Sequence, residues 1–392
     1  NWTNNGGTFT PGAGTVTFNG SAAQTIGGSS ATTFNNLTIG PSSTVQLTVG
    51  VAPVINTTIT INGTIVTPDT VTVTNDGGAT IALGATGKIQ TADVDGVTGS
   101  VSTSFGSNFT TTSLDTNGTV EYNGSGNQTI TSRTYNNLTT SGGGIKTPSA
   151  AYTVSGTLTI GSGTTLDEAG IQLTLPGGSM LIVNGTLDFS SSTGQIRSGT
   201  SGTTTLTMGA NGLIRTMDDL GLGPLGNSSL QTQVGGTWDT TSISSNGTVE
   251  YNRNATDGQV VTDRDYNNLT ITGSTQTKTW TPGVDRTVNG NVTINTSAPL
   301  TLSGAQTVNV KGNWSNSGTF TPSTGTVTFN GSSAQTISGV TTFNNLTVNN
   351  TSGVTINADE TINGTLTFTN GKITTNANTL IIGSSGSVTG AG

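Results

Sequence analysis

The side chains here that could do chemistry are mostly carboxylates, set in five close pairs: Asp93 with Asp95, Asp167 with Glu168, Asp218 with Asp219, Asp263 with Asp265, and Asp359 with Glu360. Two carboxyls facing each other across a cleft, roughly 5–9.5 Å apart, can cleave a glycosidic bond as acid and base or nucleophile. Neighbouring residues on a strand point to opposite faces, which weakens the adjacent pairs as catalytic couples. The chain has no His and no Cys. That removes Ser-His-Asp and Cys-His nucleophiles, HExxH zinc sites, cysteine zinc sites and disulfide staples. "SGGGIK" (141–146) lacks the GK[ST] ending of a phosphate-binding loop. "TADVDG" (91–96) offers two carboxylates, a thin shell for calcium, and neither the GGxGxD repeat nor an EF-hand loop occurs. No catalytic, cofactor-binding or metal residue is therefore assigned, and no enzyme activity or cofactor is expected.

The groups that must position these residues are unusual in composition. Thr and Ser make up about a third of the 392 residues, and charged residues only 8%, against roughly 25% in an ordinary soluble domain. Val, Ile and Thr at this density favour strands, and no stretch reads as helix. The net charge of −8 provides no basic patch for phosphates, so nucleic acid is not an expected partner. No apolar run approaches the ~20 residues that cross a bilayer as a helix. The first residue is Asn1 rather than Met, which fits a removed leader or a window of a longer chain.

One phrase recurs four times: "GTVTFNGSAAQTIGGSSATTFNNLTI" (14–39), "GTVEYNGSGNQTITSRTYNNLTT" (118–140), "GTVEYNRNATDGQVVTDRDYNNLTI" (247–271) and "GTVTFNGSSAQTISGVTTFNNLTV" (325–348). Its aromatic anchors Phe34, Tyr135, Tyr266 and Phe343 lie 101, 131 and 77 residues apart. Those gaps approximate 4, 5 and 3 units of about 25–26 residues, the size of one solenoid coil. Within each unit, strands such as "TVTF", "LTI" and "GTLTI" alternate apolar and polar, with Asn-Gly and Gly-Ser corners between them. This predicts an all-β parallel β-helix with Val16, Phe18, Ile26, Leu37 and Ile39 inward and Thr15, Thr17 and Thr38 outward. Antiparallel hairpins in sandwiches are the competing arrangement, disfavoured by the uneven but near-commensurate gaps. In "FNNLT", Asn35 and Asn36 make either an asparagine ladder between coils or simply an Asn-rich corner.

Residues 1–392 are expected to form a single continuous solenoid of roughly 15 coils, about 70 Å long at ~4.8 Å per coil. Two divergent stretches, near 85–115 and 210–245, carry similar text and read as solvated loops or as lateral contact surfaces. Outward Thr rows such as "TVTVT" (70–74) suggest ice-binding solenoids, but the irregular coils argue against a flat Thr array. Asn-x-Ser/Thr sequons recur along the chain, with Asn36, Asn62, Asn117, Asn137, Asn184, Asn268, Asn345 and Asn363 as candidate glycosylation sites.

The repeat phrase resembles segments of large secreted bacterial and archaeal surface proteins of the filamentous-haemagglutinin, adhesin-like β-helix type. The resemblance covers nearly the whole chain and is architectural, so it carries over no functional residue. It implies a right-handed parallel β-helix and an extracellular, cell-surface structural or adhesive role, with cell-surface or matrix glycans as possible partners and biofilm as one setting.

The text at the two ends fits together. "SVTGAG" followed by "NWTNNGGTFTP" reproduces the internal "TVNVKGNWSNSGTFTP" (307–322). Neither end shows a capping helix or polar cap, and solenoids usually need one. The expectation is a structural subunit of an extracellular filament, polymerising head to tail with copies of itself, with Asn1, Trp2, Thr3, Val388, Gly390 and Gly392 at the joint. A monomeric or covalently continuous adhesin stalk is the alternative, and a polysaccharide-active β-helix enzyme the third.

Overall fold

The computed structural model describes residues 1–223, 228–273 and 276–390. Alternating Thr and aliphatic residues have formed short strands that pair in parallel, coil upon coil, as a β-solenoid of about 18 turns among the described residues. The expected count was roughly 15. The difference lies in coil length: Leu138 sits on Leu158 after 20 residues and Val292 on Trp314 after 22. Two enlarged coils inflated the sequence-based average. Ile89 reaches Val120 only after 31 residues, and Ile214 reaches Val249 after 35.

The chain gathers into two compact units. The first comprises Asn1–Asp188, Ile196–Leu206 and Thr232–Asp239. One of its inward columns runs Val45, Ile65, Ile89, Val120, Leu138, Leu158, Leu181, each paired with the next and at most 1% exposed. Another runs Val16, Leu37, Ile59, Ile81. Burying each such side chain contributes roughly 1.5–3 kcal/mol, so cohesion is shared between neighbouring coils rather than held in one central core.

The second unit comprises Phe189–Gln195, Thr207–Gln231 and the chain from Thr240 onward. Its columns include Val249, Leu269, Val292, Trp314, Ile337 and also Val308, Val327, Leu346, Leu366, Val388. The inward positions expected from the repeat, Phe18, Ile26, Leu37 and Ile39, are buried, while Val16 is half-buried at the open edge of its column.

Corners are held by asparagine side chains. Asn268 Oδ1 accepts from Asn291 N at 2.9 Å, Asn291 Oδ1 from Asn313 N at 2.8 Å, and Asn313 Oδ1 from Thr336 N at 2.8 Å. This is a ladder of side chain to backbone, each rung about one coil apart, rather than amide upon amide. At Gly339 (φ 83°) a Cβ would lie 1.8 Å from Asn316 O, so this corner excludes any side chain.

The two divergent stretches are packed rather than freely solvated. Each contains a 3-10 turn, Thr112–Asp115 and Thr241–Ser244, which buries its own Leu114 or Ile243. Val97 and Phe105 of the first are fully buried, and Leu222 and Leu230 of the second nearly so. Each keeps an apolar residue at its surface, Val101 at 79% and Val234 at 96% exposure.

Candidate functional site

Of the acidic pairs, the Asp218 and Asp219 side chains meet within hydrogen-bond reach, and, after burial, the charge of Asp219 helps to raise Asp218. One member of several is swallowed by the solenoid and tied to its own turn. Asp93 Oδ1 accepts from Asp95 N and Asp218 Oδ1 from Leu220 N, both at 2.9 Å, and Thr91 and Thr216 Oγ1 accept from the backbone N of Asp93 and Asp218. Burial pushes Asp93 up to about 6 and Asp218 up to about 7. Glu168 is fully buried, accepts from Tyr152 Oη at 2.7 Å, and is pushed up by burial to about 8. Glu360 accepts from Thr341 N at 2.9 Å and burial raises it likewise to about 8. Asp359 turns away, accepting from Thr379 N, while Asp263 pairs with Arg286 at 2.6 Å and Asp265 accepts from Thr287 N. Each acid named here serves a turn or a coil contact. Among the described residues no group of three or more His, Asp or Glu side chains could hold a metal ion.

Of the joint candidates named from the sequence, Asn1, Trp2 and Thr3 lie in or beside the first strand of the first unit, and Val388 and Gly390 in or beside the last strand of the second. Among the described residues of the first unit, strand Trp2–Asn4 pairs only with Gln24–Gly28, and strand Thr15–Phe18 only with Thr33–Ile39. Among those of the second, strand Ser387–Thr389 pairs only with Thr365–Thr374. Val388, last of its column, is 56% exposed, whereas Val308, Val327, Leu346 and Leu366 are at most 2%. Asn1 Oδ1 accepts from Thr25 N at 2.9 Å, as Asn313 does from Thr336. Thr3 is exposed. Gly390 (φ 92°) packs with no room for a Cβ, which would lie 2.0 Å from Phe368 O. Gly392 lies outside the described residues.

Trp2 reproduces the setting of Trp314 ring by ring. Trp2 and Phe9 meet edge to face at 4.8 Å, as do Trp314 and Phe320. Trp2 to Phe34 is 5.2 Å and Trp314 to Phe343 is 5.6 Å. Phe9 to Phe34 is 6.1 Å and Phe320 to Phe343 is 5.9 Å. What differs is the cover and the indole N–H: Trp2 Nε1 donates to Thr32 Oγ1 at 3.1 Å, while the buried Trp314 Nε1 meets no partner among the described residues. Trp314 is 2% exposed in an apolar cluster with Val292, Leu300, Leu302, Val308, Phe320 and Val327 that leaves only about 10 Å³ of free space. Trp2 and Phe9 are half-buried beside a hollow of about 180 Å³.

A residue type that the sequence reading passed over also marks these faces. Gln128 Oε1 accepts from Gly124 N at 2.8 Å, and its Nε2 donates to Thr91 O and Asp93 O of the preceding coil, both at 2.9 Å. Gln259 donates in the same way to Thr216 O and Asp218 O, and Gln335 to Val310 O and Gly312 O. Gln24 keeps the inner half of the clamp, accepting from Gly20 N at 2.9 Å. Among the described residues its Nε2 makes no hydrogen bond. The signal was present in the sequence: "AQTI", "NQTI", "GQVV" and "AQTI" place a glutamine at one point of every copy.

The sequon asparagines divide by geometry. Asn184 and Asn363 are exposed, while Asn36, Asn62 and Asn117 are half-buried. Asn137 and Asn268 are spanned on both sides: Nδ2 donates to Gly118 O and Gly247 O at 3.0 Å, and Oδ1 accepts from Thr157 N and Asn291 N at 2.9 Å. Asn345 is held similarly, between Thr324 O and Thr365 N.

Fold and open faces together define a parallel β-solenoid repeat protein. Comparison with known protein families, with curated proteins and with solved structures gives no match. Among the described residues no helix is long and apolar enough to cross a membrane.

Proposed function

We propose that this chain is a structural element of an extracellular filament, extended when the open face bearing Val388 is continued by the open face bearing Trp2 of a second copy. The right-handed sense usual for parallel strand crossovers is part of this proposal. The observation that carries it is the repetition of the Trp314 ring cluster at Trp2, with ring distances agreeing to within half an ångström but with Trp2 half-buried where Trp314 is sealed. An open parallel edge with an apolar floor is a template for strand addition, and two different faces that fit each other propagate as an open line rather than a closed dimer. The turn-bound acids and the surface of Thr, Ser and Asn suit a structural role. Cell-surface or matrix glycans are a further partner class for that surface.

Negative-stain microscopy of the concentrated 392-residue chain tests the proposal. Long unbranched filaments are expected, and discrete short particles at every concentration would overturn it. Mass under denaturing conditions separates the two forms of continuity: the non-covalent filament returns 39.2 kDa, and a covalently continuous stalk gives a far larger species.

A further inference from the structure

The sealed cluster around Trp314 serves as a template for the joint, residue by residue. Its coil contributes Leu300, Leu302 and Val308 on one side and Trp314, Phe320 and Val327 on the other. Leu380, Ile382 and Val388 repeat the first spacing without change, and Trp2, Phe9 and Val16 repeat the second with one extra glycine in "NNGGTF". All six are half-buried or exposed, whereas their six internal counterparts are at most 7% exposed. Within the chain Leu300 pairs with Phe320 and Val308 with Val327.

Resting on the head-to-tail reading, we infer that the joint has one register: Ser387 pairs with Thr15, Val388 with Val16 and Thr389 with Thr17 of a second copy, and Leu380 lies on Phe9. The internal pairing of Thr307, Val308 and Asn309 with Thr326, Val327 and Thr328 sets these partners. A slip of one residue would turn Val388 outward and set a Thr against the Trp2 floor, so the apolar faces enforce the register. The glutamine clamp enforces it again. Gln335 Nε2 donates to Val310 O, and Gly390 holds the place of Val310, so Gln24 Nε2 donates to Gly390 O across the joint. Gln24 thus completes in the second copy the bond that Gln128, Gln259 and Gln335 complete within the chain. Second copies are favoured over an unrelated partner because the apolar spacing and the backbone acceptor that this face needs both recur on the other face of the same chain.

Disulfide trapping tests the register, and a chain without cysteine gives it no background. Adjacent parallel strands bring Cα atoms within the 4.4–6.8 Å that a disulfide spans, while a two-residue offset separates them by roughly 8 Å. The chain with Thr17→Cys and Thr389→Cys is expected to give a ladder of covalent oligomers on mild oxidation. The chain with Thr15→Cys and Thr389→Cys is expected to assemble without one. Equal cross-linking of both, or of the second alone, overturns the register while leaving head-to-tail assembly standing. Failure of the unmodified chain to assemble by light scattering overturns the assembly reading itself. Gln24→Ala is expected to raise the concentration needed for assembly roughly 5- to 10-fold, the worth of one hydrogen bond, with an unchanged circular dichroism spectrum. No change in that concentration would remove the clamp from the joint.

Discussion

Tyr152 donates its hydroxyl to Glu168 Oε1 across 2.7 Å, and both side chains are sealed within the solenoid. A carboxyl so placed keeps its proton, and burial pushes Glu168 up to about 8. Glu360 is raised to about 8, Asp218 to about 7 and Asp93 to about 6, all mainly by burial.

These acids set a pH dependence. The unfolded chain releases their protons near the ordinary values of 3.8 to 4.5, and the folded chain only at about 6 to 8. Their contribution is fully present below the unfolded values and is lost as pH rises toward 8. Lys146 and Lys278 act oppositely: burial lowers each from 10.5 to about 8, so their contribution is lost as pH falls from 10.5 through 8. Stability should therefore pass through a minimum near pH 8. Calorimetric unfolding midpoints are expected to be higher at pH 5 and at pH 10 than at pH 8. Glu168→Gln should flatten the acid limb. A midpoint that rises steadily from pH 5 to pH 8 would refute this account.

The glutamine clamp gives a paired expectation. Gln128→Ala leaves Gly124 N and Asp93 O without the partner they now share, while Thr91 O keeps the bond from Asn123 N. Buried groups left unmet cost about 1–3 kcal/mol each, and partial relaxation suggests a net loss of about 3 kcal/mol. Gln24→Ala removes only the bond from Gly20 N at a half-buried position and should cost less than about 1 kcal/mol. Chemical denaturation of the unassembled chain measures both, and equal losses would show that Gln24 is not an unfinished clamp.

Legibility followed periodicity. The two-residue alternation of "TVTF" and "NNLTI" placed Phe18, Leu37 and Ile39 inward, where they are buried, because a strand leaves only two faces to choose from. Coil length was misjudged because the anchors Phe34 and Tyr135 enclose an enlarged coil, and a spacing averaged over it hides the shorter step from Leu138 to Leu158. The fate of Asp93 and Glu168 could not be read from their neighbours. Asp93 bonds within its own turn, but Gln128 reaches its carbonyl from 35 residues on, and Tyr152 reaches the Glu168 carboxyl from 16 residues before it. The ladder from Asn268 to Asn313 was invisible for the same reason, since each rung joins residues 22 or 23 apart.

Glycosylation should follow the same geometry. A glycan on Asn184 or Asn363 projects from an exposed side chain. A glycan on Asn137 or Asn268 replaces an Nδ2 hydrogen at an amide already engaged with the coils on both sides. In a glycosylating host, glycopeptide mass spectrometry of the folded protein should find occupancy at Asn184 and Asn363 and little at Asn137 and Asn268. High occupancy at Asn137 in folded material would show that the corner tolerates losing its bonds.

The two tryptophans of the repeated cluster separate folding from assembly. Trp314→Ala empties a sealed site and should cost about 3–5 kcal/mol of folding stability. Trp2→Ala removes a half-buried ring beside an open hollow and should cost the unassembled chain about 1–2 kcal/mol. The order reverses for joining. Trp2 lies on the face to be covered and Trp314 does not, so Trp2→Ala should abolish filaments in a chain that still folds. Because Trp280 and Trp314 are already buried and the half-buried Trp238 lies in strand Gly236–Asp239, outside the proposed joint, assembly should shift fluorescence to the blue mainly through Trp2, and the shift should vanish in a Trp2→Phe chain. Filaments formed by Trp2→Ala at the wild-type concentration would separate the Trp2 face from the joint.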